Sequence, residues 1–139
     1  MRNLLNFLYS SDELKIGIGK IIKRHKGGCV IFSLSIVLNK SPEEIAKEVN
    51  KPLDYWFKER EIFDLEKILP VKVETYDRER VIESLKNKKS LIFCLNNHSF
   101  VCYGYSRNKE LTFYIYDVNG KSRKEKEKNL QNAYVIRLV

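Results

Sequence analysis

Apolar positions change their rhythm along this chain, and the changes mark out its elements. From Cys29 to Leu38 the run CVIFSLSIVL is apolar almost without a break. A run of that length after the backbone break at Gly27-Gly28 predicts a buried helix, although β-branched Val30, Ile31, Ile36 and Val37 keep a strand in play. The next segment, SPEEIAKEVN, has Ser41 as cap, Pro42 at the first helical position and Glu44 placed to close a capping box. A helix is predicted there. In EREIFDLEKIL, Glu59 to Leu69, the residues Ile62, Phe63, Leu65, Ile68 and Leu69 share one broad face, so an amphipathic helix is expected up to Pro70. Ser11-Asp12-Glu13 reads as a further helix start, a hydroxyl followed by acids, over 12–23, with Gly17 and Gly19 weakening it.

After Pro70 the period shortens. VKVETY alternates as a strand, Asp77 caps a helix running to about Lys86, and Leu91 to Leu95 predicts another strand. SFVCYGY and LTFYIYDV are β-branched and aromatic runs joined by the hairpin-like SRNKE, and NAYVIRLV ends the chain as a strand. Phe100, Tyr103, Tyr105, Phe113, Tyr114 and Tyr116 alternate along the two runs and are read as cross-strand packing, and Trp56 as core. GKSRKEKEKN, Gly120 to Asn129, mixes Lys, Arg and Glu and reads as a solvated loop. Helices followed by strands, in 139 residues without a repeat or linker, predict a single α+β domain.

Composition narrows the class. At 43% hydrophobic residues the chain can build a core, and no apolar run approaches the roughly 18 residues of a membrane helix. The N-terminal stretch lacks a signal peptide's layout, so a soluble, cytoplasmic protein is expected. An odd cysteine count, Cys29, Cys94 and Cys102, fits a reducing compartment better than a disulfide framework. The net charge of +8 suits a polyanion or acidic partner, but the basic residues are scattered, which argues against nucleic acid as the main one.

The candidate chemistry lies in three places. Only His25 and His98 can titrate near neutral pH as histidines. His98 opens a strand after Asn96-Asn97, and Asp117 ends the partner strand, so an antiparallel hairpin sets them side by side. Asn119 is an alternative orienting residue, and His25, in the basic segment KIIKRHK, is a rival base. A thiol at a helix start beside an imidazolium has its pKa lowered from about 8.5 to roughly 3.5–7.5. Cys29 as nucleophile, His98 as base and Asp117 as orienter therefore make a complete set. Gly28 leaves room for a carbonyl to approach, with the Cys29 N–H aimed at the oxyanion. The spacing Cys94-x3-His98-x3-Cys102 also suggests a metal, but four residues of strand span about 13 Å at ~3.3 Å each, so no metal or other cofactor is expected.

GGCVIFSLSIVL, HSFVCYGY and FYIYDVNG together resemble the papain-like cysteine peptidase superfamily, most closely its small bacteriocin-leader peptidase domains and Josephin-type deubiquitinases. DRERVIESLKNKKSLIFCLNNHSF likewise looks like the helix–strand approach to the histidine. The resemblance runs from Cys29 to Asn119 and implies N-terminal helices packed on a C-terminal antiparallel sheet, with the active cleft between them. It implies a Cys-His-Asp hydrolase acting on a peptide or protein substrate, as peptidase or isopeptidase. Where the family carries an oxyanion Gln a few residues before the cysteine, this chain has Lys23, and its sole glutamine is Gln131. Loss of one such donor costs about 10²–10³ in rate. The alternatives are a weak or inactive module that binds an acidic partner or nucleic acid, and an acyltransferase of transglutaminase type.

Overall fold

The computed structural model describes residues 13–15, 29–52, 55–56, 62–96, 98–117 and 121–139. Among the described residues, two short helices follow the strand at 13–15: α1 (Cys29–Leu38) and α2 (Pro42–Glu48). Ser41 Oγ accepts the Glu44 N–H at 3.1 Å, which satisfies one of the donors a helix start leaves over. In α1, Ile31, Phe32, Leu34 and Ile36 are buried, and so are Ser33 and Ser35 between them. Ser35 donates its hydroxyl back to the Ile31 carbonyl at 2.8 Å, so the helix keeps a polar group inside without leaving it unpaired. A helix apolar on nearly every side must be covered on nearly every side. That explains why CVIFSLSIVL lacks an amphipathic period.

Among the described residues, the strands form one seven-stranded antiparallel sheet. Its strands are β1 (Glu13–Lys15), β2 (Val71–Thr75), β3 (Leu91–Leu95), β4 (His98–Arg107), β5 (Leu111–Asp117), β6 (Lys121–Lys126) and β7 (Tyr134–Leu138). The order across it is β2-β7-β3-β4-β5-β6, and β1 pairs with the far half of β4. The C-terminal strand therefore returns to lie between β2 and β3. Helix α3 (Arg78–Lys86) joins β2 to β3 and is capped by Asp77, whose Oδ1 accepts the Arg80 N–H at 3.2 Å.

Both faces of the sheet are buried, and alternate residues divide between them. One face carries Val73, Ile92, Val101, Tyr116 and Ile136 against α1, α2 and Trp56. The other carries Phe93, Phe100, Cys102, Phe113 and Ile115 in one cluster with Val81, Ile82 and Leu85 of α3. A bulge between Cys102 and Gly104 inserts one residue and lets Cys102 and Tyr105 share the α3 face. Beside it, Gly104 permits a close approach: a Cβ there would lie 2.1 Å from the Leu14 carbonyl oxygen of β1.

Three expectations differ from the structure. Glu13–Lys15, expected to lie in a helix over 12–23, is a strand paired with 104–106, and the remainder of that segment, 12 and 16–23, lies outside the described residues. Leu14 supplies backbone partners to β4, and tertiary pairing outweighs a cap signal followed by glycines. The helix expected over 59–69 is a 3-10 turn over Ile62–Lys67, with 59–61 outside the described residues. Within it only Leu65 is fully buried, Phe63 is 44% exposed, and Glu66 turns aside to accept the Val73 N–H of edge strand β2 at 2.6 Å. The solvated loop expected at 120–129 contains β6, paired with β5 from Thr112↔Lys126 to Asp117↔Lys121. Its side chains are almost all in water while its backbone is in the sheet.

Candidate functional site

β4 and β5 pair with Val101 opposite Tyr116. Continued one step, that register sets Phe100 across from Asp117 and leaves His98 diagonal to it, one same-face position further on. The imidazole leans over Phe100, ring centroids 5.9 Å apart, and its Nε2 reaches Oδ2 of Asp117 at 2.9 Å. The expected His98–Asp117 pair is thus present. Asp117 is largely buried, its side chain 12% exposed, while His98 is 33% exposed. A carboxylate accepts only, so Nε2 carries the proton and Nδ1 is left as the basic nitrogen of the neutral ring. The dyad is a fixed, partly open imidazole with its proton-accepting atom away from the acid.

A third side chain joins it from the other flank of β5. Arg123, on β6 opposite Ile115, is diagonal to Asp117 in the same way and brings Nη1 within 3.3 Å of the same Oδ2. Its Nε lies 3.2 Å from Glu125, and its guanidinium lies over the Phe100 ring, 5.0 Å from the centroid. Sequence reading missed Arg123 because it placed this residue in a solvated loop. Once β6 is a strand, two-residue alternation puts Lys121, Arg123 and Glu125 on the face that carries Asp117.

Cys29 is the first residue of α1, as expected, and its side chain is not among those described. Gly28, Lys23, His25 and Asn119 also lie outside the described residues. The cleft expected between the N-terminal helices and the sheet is not where the dyad lies, and strand parity is the reason. His98 and Asp117 alternate with Val101 and Tyr116, so the dyad lies at the rim of the sheet on the α3 side, and α1 packs on the other side.

The two remaining cysteines are separated by the sheet. Cys94 packs toward the α1 cluster and sits 3.4 Å from Ser99 Oγ, whereas Cys102 packs toward α3. Burial, offset only in part by the Gly104 backbone contact, pushes the Cys102 thiol up to about 12, so it is neither a ready nucleophile nor a ready metal ligand. Among the described residues no three His, Cys, Asp or Glu side chains gather as a metal site, and no helix is long and apolar enough to cross a membrane.

Comparison with family models, with curated proteins and with solved structures found no match.

Proposed function

We propose that this α+β chain is a thiol-dependent hydrolase of papain-like arrangement, acting on a peptide or isopeptide bond. The observation that supports the reading most is the His98 Nε2–Asp117 contact at 2.9 Å, which leaves Nδ1 to exchange protons. In the mechanism, Nδ1 of His98 takes the Cys29 proton and the thiolate attacks the substrate carbonyl. The Cys29 N–H donates to the oxyanion, and the start of α1 favours negative charge there. His98 then protonates the leaving amine, a thioester remains, and water activated by the same imidazole releases the acid. An amine in place of water would turn the reaction into acyl transfer. The reading requires the Cys29 thiol to meet Nδ1 above the rim of β4.

The test is alkylation of each cysteine across pH, resolved by peptide mass, in the native protein and in His98→Ala. The hydrolase reading expects Cys29 to react well below pH 8, and to lose that advantage without His98. If Cys29 behaves as an ordinary thiol in both proteins, the triad does not exist.

A second reading, a binding module without catalysis, is favoured by the dyad's position on the side of the sheet away from α1. Such a module would use the basic surface, which includes Lys121, Lys124 and Lys126 of β6, to hold an acidic partner. Binding to an oligonucleotide that weakens steeply with salt, with Cys29 inert, would select it.

A further inference from the structure

Asp117 sits on the strand between β4 and β6 and is approached from each by one side chain on a diagonal, His98 from β4 and Arg123 from β6. Both end on Oδ2, at 2.9 and 3.3 Å. Two donors on one oxygen fix the carboxylate's rotation more firmly than either alone. Arg123 is itself held by Glu125 and by the face of Phe100, the ring that also supports the imidazole. A guanidinium this well tethered is a fixed charge rather than a wandering surface arginine.

We propose that Arg123 is the positioning residue of the site: it orients Asp117 and, as a permanent cation sharing that oxygen, limits how strongly the carboxylate stabilises a protonated His98. This inference rests on the hydrolase reading for its purpose, and on the geometry alone for its effect on the ring. The charges facing the pair from the described flanking strands are Lys121, Arg123 and Glu125 of β6. β3 and β4 contribute Leu95 and Phe100 there. α3 approaches the same face from the other end of β6, where Arg78 pairs with Glu127.

The sign follows from charge. A cation beside the carboxylate disfavours a second cation on the imidazole, so its removal favours imidazolium. Arg123 is 39% exposed, so solvent partly screens its charge, and the test reads the direction of the change. The experiment follows the His98 ring resonances by NMR across pH in wild type, Arg123→Gln and Arg123→Lys, with His98→Ala to assign them against His25. The midpoint should rise in Arg123→Gln and return most of the way in Arg123→Lys, which keeps the charge. An unchanged midpoint in folded Arg123→Gln would overturn the proposal and make Arg123 a surface partner of Glu125 only.

If Arg123→Gln does not fold, Glu125→Gln carries the test. It removes the anion that competes for Arg123, and the midpoint should fall; no movement there overturns the proposal equally. Because the ring is read directly, a shifted midpoint with an inert Cys29 would sink the hydrolase reading while leaving this one standing.

Discussion

Arg78 closes a two-point contact on Glu127, Nη2 to Oε1 at 2.6 Å and Nε to Oε2 at 2.7 Å, and so ties the start of α3 to the turn after β6. The Tyr76 hydroxyl donates to the same carboxylate at 2.6 Å. Together they hold the Glu127 carboxyl below the usual carboxylate range, with Arg78 the largest cause, while burial beside Glu127 pushes the Tyr76 phenol up. Removal of the acceptor leaves the half-buried Tyr76 hydroxyl without it while exposed Arg78 returns to water, so Glu127→Ala should lower stability by about 1–2 kcal/mol in urea unfolding.

The same carboxylate has a pH signature. Its folded value lies below its unfolded one, so between them the unfolded chain binds more protons and stability rises with pH. The contribution is complete above the unfolded value of about 4.3 and is lost as pH falls through the lower folded one. Urea midpoints measured from pH 6 down to pH 3 should therefore fall more steeply for wild type than for Glu127→Gln. Parallel curves would show that the contact does not distinguish the charged acid.

Cysteine labelling should be uneven. Cys102 is fully buried and its thiol is pushed up to about 12, so a small alkylating agent at pH 8 should leave it unmodified until the protein unfolds. Cys94 is only partly buried and should label slowly in the folded state. Peptide mass after timed quenching separates the two. Early labelling of Cys102 would mean that the α3 face opens well below global unfolding.

Gly104→Ala tests the close approach of β1. The new methyl would lie 2.1 Å from the Leu14 carbonyl oxygen, a backbone atom that cannot swing aside as a side chain could. Overpacking of this kind costs about 1–3 kcal/mol. Release of the three paired residues of β1 is the cheapest response, since the core strands keep their partners. Hydrogen exchange should then rise at 13–15 and 104–106 while β3 and β5 stay protected.

Phe93→Ala should be the most damaging of these substitutions. Its ring is fully buried and stacks or tilts against Tyr76, Phe100 and Phe113 at centroid distances of 6.2, 6.0 and 5.6 Å. Phe-to-Ala changes in such cores cost about 3–5 kcal/mol. A thermal melt shifted only slightly would imply that the neighbours collapse into the vacancy.

Local signals in the sequence carried much of this fold. Ser41-Pro42 and Asp77 mark helix starts because a side-chain oxygen satisfies a nearby backbone N–H, a bond made entirely within a few residues. The aromatic, β-branched runs that became β4 and β5 announce a pleated sheet, and their antiparallel order alone brings His98 beside Asp117. Cys29 at the head of α1 is legible for the same reason, from the glycines before it and the apolar length after it.

The misses share a different cause. Glu13–Lys15 and the polar strand β6 have no period of their own, and their backbones are ordered by strands distant in the chain. Arg123 acquired its place only with β6, because a diagonal contact exists only once register is set. The side of the sheet on which the dyad lies is likewise a matter of register. One residue of slip would turn His98 from the α3 face to the α1 face, and the strand sequences read equally well either way until both faces are filled. Short-range bonding and periodicity thus wrote the elements and the His98–Asp117 pairing into the chain, whereas long-range pairing chose its face and brought Arg123 to it.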